Sequence, residues 1–292
     1  MGHGAYSSSD RMVRATSLGY YTKGAGEIFS QRNINNAMSP HGVTLRESRD
    51  SAEHPKSLAI IIALDVTGSM GSVPHFLVKN GLPNIMARII AGGVPDPQVL
   101  FLAIGDHEVD AAPLQVGQFE SGDELLDKWL TTVWLEGGGG GNAGESYMLA
   151  WYFAAFCTEI DCLEKRDKKG ILITIGDEPV LDAIPAPVLK GIMGDGQYEN
   201  YSALQLYGKA MEKYDVYHIH IRETGSGARQ HVMDGWKQIA QDNLLIAQRH
   251  EIVSDLIADV VLRREGGPAA ELEQEAPALG AEGSPPEEEI IL

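Results

Sequence analysis

Asp65-Val66-Thr67-Gly68-Ser69 sets one carboxylate and two hydroxyls at alternating positions, directly after the wholly apolar run Leu58-Ala59-Ile60-Ile61-Ile62-Ala63-Leu64. Oxygen donors of this kind suit a hard divalent cation, Mg²⁺ first, then Mn²⁺ or Ca²⁺. Two further apolar runs also end in acids: Gly170 to Gly176 leads into Asp177-Glu178-Pro179, and Val99 to Gly105 leads into Asp106-His107-Glu108. Neighbouring parallel strands lie about 5 Å apart, so Asp177 can join Asp65 around one ion while Asp106 stands nearby. A run of glycines, Gly137 to Gly141, then precedes Asn142-Ala143-Gly144-Glu145-Ser146. Glycine permits backbone conformations closed to other residues, which lets this loop bring Glu145, with Asn142 beside it, onto the same edge.

The elements around these residues explain how they could meet. Seven apolar residues without polar alternation describe a strand covered on both faces, and ligands of such sheets bind at the carboxyl ends of the strands. After strand 58–64, the sequence predicts a helix from about Val73 to Ala91, stopped by Gly92-Gly93 and Pro95. Strand 98–105 and a short antiparallel edge strand over 111–119 follow, then a helix opened by Ser121, Asp123 and Glu124 that runs to about Trp134. Glu145 to Ile160 is apolar around most of its circumference and reads as a heavily buried helix. Strand 170–176, a short helix near Val188, a helix over 203–214, strand 216–221, a helix over 230–242, strand 244–247 and a helix over 251–264 complete the series. The alternation implies right-handed parallel crossovers. The predicted fold is therefore a three-layer α/β/α sandwich with a Rossmann-like, mostly parallel sheet of about six strands and one short antiparallel edge strand.

Asp65-x-Thr67-x-Ser69 after a buried strand, the glycine loop before a helix, and Asp177 after a second buried strand resemble the metal-ion-dependent adhesion site (MIDAS) of the von Willebrand factor A (VWA) domain family. The resemblance spans roughly Ser57 to Glu265, about the length that one such domain needs. The family pattern is Asp-x-Ser-x-Ser, then a distant Thr and a distant Asp. Thr67 keeps the hydroxyl of the first Ser. No Thr follows the glycine run, whereas Asn142-x-x-Glu145 is similar to the integrin β variant, in which a Glu takes that ligand position. The resemblance thus implies the metal ligands Asp65, Thr67, Ser69, Glu145 and Asp177, with Asp106 and Asn142 behind them or at an adjacent metal. Three carboxylates would hold the ion more tightly but attract an acidic partner group less than two would.

Other chemistry finds less support. His218 and His220 fall on one face of a strand, but no Cys or further His stands at a supporting spacing for zinc, so both are expected to be structural. Cys157 and Cys162 are awkwardly placed for a bridge and are expected to be free thiols. The glycine run lacks the Gly-Lys-Ser/Thr ending of a phosphate-binding loop, and no nucleophile elbow or Cys/His pair is present. Met70 is expected in the core.

At 292 residues with 43% apolar content, the chain can bury one full α/β core with flanking material to spare. Residues 1–56 read as a partly ordered N-terminal arm that packs on the domain or a partner, 57–265 as the metal-binding domain, and 266–292 as an acidic Pro/Ala/Gly-rich tail expected to be disordered. A net charge of −18 argues against a nucleic-acid partner. A polar, glycine-rich start, the lack of a long apolar run and only two cysteines lead us to expect a cytoplasmic protein with no signal peptide and no membrane partner. Tyr6 stands where a myristoylation signal needs Ser or Thr.

In the resembled family such a site is a recognition device, and an acidic side chain of a protein partner completes the metal shell. The expected function is therefore an intracellular, metal-dependent adaptor without catalytic activity, and the resemblance implies an AAA+ ATPase of the MoxR or chelatase type as a working partner. The competing reading is a metal-dependent phosphoesterase or phosphotransferase, for which His107 and Glu108 are the only nearby candidate groups. A purely structural subunit with no ion at the site is a third reading.

Overall fold

The computed structural model describes residues 4–137 and 144–267. Asn142, most of the glycine run and nearly all of the acidic tail lie outside the described residues. Helices α1 (Ser8–Ser17) and α2 (Ala25–Ile28) come first, then β1 (Arg46–Ser48), β2 (Ser57–Asp65), α3 (Ser72–Phe76), a π-helical turn (Leu77–Gly81) and α4 (Leu82–Ala91). The chain continues through β3 (Asp96–Ile104), β4 (Leu114–Val116), α5 (Asp123–Thr132), α6 (Met148–Phe156), β5 (Thr158–Ile160), α7 (Asp161–Arg166) and β6 (Gly170–Gly176). It ends with β7 (Ala183–Ile184), α8 (Ala186–Met193), β8 (Tyr201–Ser202), α9 (Ala203–Lys213), β9 (Tyr214–Ile221), α10 (Gln230–Ala240), β10 (Leu244–Ala247) and α11 (Val253–Glu265).

The main sheet has the order β10-β9-β6-β2-β3-β4, parallel throughout except for the antiparallel β3–β4 edge pair. Alternate residues of β2 feed two separate cores. Ile60, Ile62 and Leu64 pack with α4, α5 and α11, while Ala59, Ile61 and Ala63 pack with α6, α8, α9 and α10. A strand covered on both faces is apolar along nearly its whole length, which is why residues 58–64 of β2 read as an unbroken hydrophobic run and β6 as one interrupted only by Thr174, whose hydroxyl bonds His218. The result is the three-layer α/β/α sandwich. Because β2, β3 and β6 run the same way, with Asp65 opposite Ile104 and Leu64 opposite Ile175, their acid-bearing ends meet at one edge of the sheet.

Three local differences from the sequence expectation have physical causes. The helix expected over 145–160 covers only Met148–Phe156, because the β-branched Thr158 and Ile160 turn extended and pair in parallel with β1. The helix expected over 73–91 is a helical run broken by the π turn, and a Cβ on Gly81 would come within 2.6 Å of Leu77 Cδ2. A two-stranded ribbon, β7 with β8, closes the long connection after β6 and was not foreseen.

The N-terminal residues fold onto the domain through charge as well as apolar contact. Ser7 caps α1 by accepting from the Asp10 amide at 3.2 Å. Arg11, only 1% exposed, lies 2.7 Å from Asp127 as an ion pair rather than an aligned hydrogen bond, with Tyr20 against its guanidinium. Its Nη2 donates to the Val78 carbonyl inside the π turn. Arg14 adds a bond to Asp127 at 3.2 Å and one to Asp123. By contrast, Met12 and Val13 are 59% and 67% exposed.

Removing Arg11 would leave the Asp127 charge buried without its closest partner. Arg11→Ala is expected to cost about 3–5 kcal/mol in denaturant unfolding, whereas Met12→Ser should stay within about 0.5 kcal/mol. Equal, small effects for both variants would mean that the arm does not belong to the cooperative unit.

Candidate metal centre

The end of β2 sets the first donors. Asp65 is wholly buried, and its Oδ1 accepts from the Thr67 amide at 2.9 Å and from the Thr67 hydroxyl at 2.6 Å. This turn, in which a side chain replaces a backbone carbonyl, swings the chain out of the sheet plane. The following short turn over Gly68–Met70 exposes Ser69 and buries Met70 in the core. The Ser69 hydroxyl donates across the sheet edge to Asp177 Oδ1 at 3.1 Å. The other Asp65 oxygen accepts from the Tyr147 hydroxyl at 2.9 Å.

Glu145 arrives by strand-like pairing. Its amide donates to the Pro179 carbonyl at 2.8 Å and its carbonyl accepts from the Leu181 amide at 3.1 Å, stitching it to the segment after Asp177. The next residue ties the same segment to the loop after β3: the Ser146 amide donates to the Gly105 carbonyl at 3.3 Å, and the Ser146 hydroxyl accepts from the His107 amide at 2.9 Å. Gly144 allows a close approach here, since a Cβ would meet Leu181 Cδ2 at 2.9 Å and the Pro179 carbonyl oxygen at 3.2 Å. Asp106 is buried beside this loop. Its Oδ1 accepts from the Glu108 amide at 2.8 Å, and its own amide donates to Asp110 Oδ2 at 2.7 Å.

Electrostatics at this edge are unfavourable without a counter-charge. Burial pushes the Asp65 carboxyl up to about 7, and Asp177 adds to the rise while the Thr67 and Tyr147 bonds oppose it. Burial likewise pushes Glu145 up to about 10, with Asp65, Asp110, Asp106 and Glu178 contributing like-charge repulsion. One oxygen each of Asp106, Glu145 and Asp177 is buried without a hydrogen-bond partner among the described residues. Buried carboxylate oxygens without donors, set beside two hydroxyls, fit a hard cation's preference for oxygen ligands.

The acids are not drawn into one tight cluster. Among the described residues, the group of three or more His, Cys, Asp or Glu side chains whose ligand atoms all lie within 4.8 Å of one another is Glu223, His250 and Glu251, elsewhere on the molecule. That group carries its own cation, because Arg249 pairs with Glu251 at 2.8 Å. At the sheet edge, Thr67 bonds Asp65 and Ser69 bonds Asp177 as two separate halves, with Glu145 near enough to feel the Asp65 charge. Mutual repulsion of carboxylates in a low-dielectric setting accounts for the spacing.

The neighbouring histidines do other work. His107 Nδ1 lies 2.7 Å from the Ser146 hydroxyl, and burial lowers its basicity. His218 is bonded to Thr174 at 2.9 Å and stacks on Trp236, while His220 bonds the Gly227 carbonyl at 2.8 Å. Burial holds both toward the neutral form, His218 strongly. Cys157 and Cys162 are buried free thiols. The sequence reading missed Tyr147 as part of the site and took it only as core. Its signal was Gly176: a glycine at the end of a buried strand marks a close approach.

No protein-family model and no curated protein sequence matches the chain. Among solved structures, the pilus adhesin SpaC from Lactobacillus rhamnosus GG aligns with 75% of this chain at 11% identity and a TM-score of 0.48, and the chain covers only 31% of that protein. An aerotolerance-related membrane protein from Bacteroides fragilis aligns with 70% of this chain at 12% identity and a TM-score of 0.40, over 99% of its own length. Proximal thread matrix protein 1 from the mussel byssus aligns with 70% of this chain and 48% of its own at 14% identity, with a TM-score of 0.39. Similarities of this size say nothing about activity.

Proposed function

We propose that this chain is a divalent-cation-dependent protein-binding adaptor of the VWA type. In this reading Asp65, Thr67, Ser69, Glu145 and Asp177 hold Mg²⁺, or alternatively Mn²⁺ or Ca²⁺, with Asp106 behind them. One observation carries the reading: buried acids from three strand ends and a loop converge on one sheet edge, where Asp106, Glu145 and Asp177 each keep an oxygen without a partner among the described residues, and burial pushes Asp65 and Glu145 toward protonation. The bound ion would offer a coordination position to an oxygen of a partner side chain. The chain's own part is to orient the donors, through the Thr67 turn on Asp65 and the Pro179–Leu181 pairing of Glu145.

The partner is a protein whose acidic group reaches the ion. Asp106, Asp110 and Glu178 surround Glu145 with negative charge, so a partner carboxylate flanked by Lys or Arg matches the site better than a bare acidic one. An AAA+ ATPase beside the domain and a cytoplasmic setting belong to the same proposal. Phosphoester chemistry is disfavoured, because His107 is engaged with Ser146 instead of standing free as an acid or base.

Affinity capture in Mg²⁺ and in EDTA, with Asp65→Ala as control, tests the role directly. Partner capture should be lost in EDTA and in the variant, while circular dichroism shows the fold retained; capture that survives both would place recognition on another surface. In calorimetric titration, Asp177→Ala should weaken Mn²⁺ binding at least tenfold, about 1.4 kcal/mol. Glu145→Gln should also weaken it, yet raise the melting temperature of the cation-free protein at about pH 8, because the native state no longer has to hold a proton on a carboxyl that the unfolded chain releases. A drop in that temperature would contradict the charge argument.

The pH dependence has a definite sign. Native Asp65 holds its proton up to about 7 and native Glu145 up to about 10, whereas the unfolded chain releases both near ordinary carboxylate values. Between those limits the native state binds more protons, so this contribution to stability falls as pH rises. The cation-free melting temperature of the wild type, relative to Glu145→Gln, should therefore decline from about pH 5 to about pH 8. Millimolar Mg²⁺ should flatten the decline, because the cation takes the proton's place. The same slope with and without Mg²⁺ would count against the site.

A further inference from the structure

Tyr147, two residues beyond Glu145, reaches through one hydroxyl both the acid that ends β2 and the backbone just past the acid that ends β6. That hydroxyl donates to Asp65 Oδ2 at 2.9 Å and accepts from the Glu178 amide at 3.4 Å. Glu178 directly follows Asp177, and its carbonyl in turn accepts from the Trp236 indole at 2.9 Å. The two polar ends of residue 178 are thus held by two aromatic side chains from α10 and the start of α6. Those aromatics hold each other. Tyr147 meets Trp236 edge-on at 5.1 Å and His218 at 5.4 Å, while His218 lies flat on Trp236 with centroids 3.3 Å apart.

The backbone has been cleared to admit this contact. A Cβ on Gly176 would lie 1.8 Å from the Tyr147 hydroxyl oxygen, so no other residue type fits there without displacing it. Packing alone does not require the close approach, since a ring without the hydroxyl would fill the core from further away. Buried apolar contact also lacks direction, whereas the bonds to Asp65 and Glu178 fix an orientation.

We propose that Tyr147 is the positioning residue of the candidate cation centre. Its hydroxyl fixes the Asp65 carboxylate, leaving Oδ1 to the Thr67 turn, and together with Trp236 it fixes the backbone that carries Asp177. One side chain thereby aims both acids, and α10 becomes the element on which the aim depends. This assignment rests on the reading that Asp65 and Asp177 hold a cation.

Tyr147→Phe keeps the ring and removes only the hydroxyl. Two measurements on the full chain decide the matter: calorimetric Mn²⁺ affinity, and amide hydrogen exchange at Thr67 and Glu178 in cation-free protein. Loss of a hydrogen bond to a charged group should weaken Mn²⁺ binding roughly tenfold and speed exchange at both amides by a similar factor. Trp236→Phe should speed exchange at Glu178 and weaken Mn²⁺ binding while leaving the Tyr147 bond to Asp65 in place. A merely structural role would lower the melting temperature of both variants with Mn²⁺ affinity within twofold of the wild type, and that result overturns the proposal. If the wild type binds no Mn²⁺, the cation reading fails by itself; unchanged exchange at Thr67 and Glu178 in Tyr147→Phe would then overturn the positioning role separately.

Discussion

Repulsion among acids gathered at the carboxyl edge of a parallel sheet is the constraint on which the site depends. Parallel strands share a direction, so Asp65, Asp106 and Asp177 leave the sheet on the same side whatever the loops do. Burial then removes the water that would screen them. The protein supplies partial answers in the form of hydroxyls: Thr67 and Tyr147 on Asp65, Ser69 on Asp177. These donors satisfy some lone pairs and leave others open. A cation would answer the remainder with one interaction, and so the arrangement is economical as a binding site and costly as a piece of core.

The parts legible in the sequence were those fixed by chain direction and local spacing. Asp65, Thr67 and Ser69 follow one another within a single turn, and Asp177 ends a second unmistakable strand, so their meeting follows from strand adjacency. The mostly parallel sheet of six strands with one antiparallel edge follows similarly from apolar runs separated by amphipathic ones, whereas the order of the strands does not. The glycine loop allowed Glu145 to reach this edge without fixing where, and its ligand role came from the family resemblance, since its placement depends on pairing with Pro179 and Leu181.

What escaped the sequence depends on contact between residues far apart in the chain. Tyr147 looks like any aromatic of a buried helix until Gly176 is seen beneath its hydroxyl. Trp236 lies some ninety residues further on, and nothing local marks its bond to Glu178. Thr158 to Ile160 carries helix-compatible neighbours on its N-terminal side, yet the partner strand β1 draws it extended. Periodicity reports which face a residue buries, and it is silent on which distant backbone lies opposite.

The π turn between α3 and α4 has a consequence for how the polypeptide can be divided. It widens the helix that leaves the Thr67–Ser69 loop, and the Val78 carbonyl within it is met by Arg11 from the first helix. A fragment beginning at Ser57 would therefore lose more than a leader. It would surrender the guanidinium neutralising Asp127, the donor filling the widened turn, and the strand that pairs with Thr158 to Ile160. Cloning limits drawn at the start of the central sheet would cut through a shared electrostatic joint, and the smallest polypeptide that carries the intact architecture includes its opening helix.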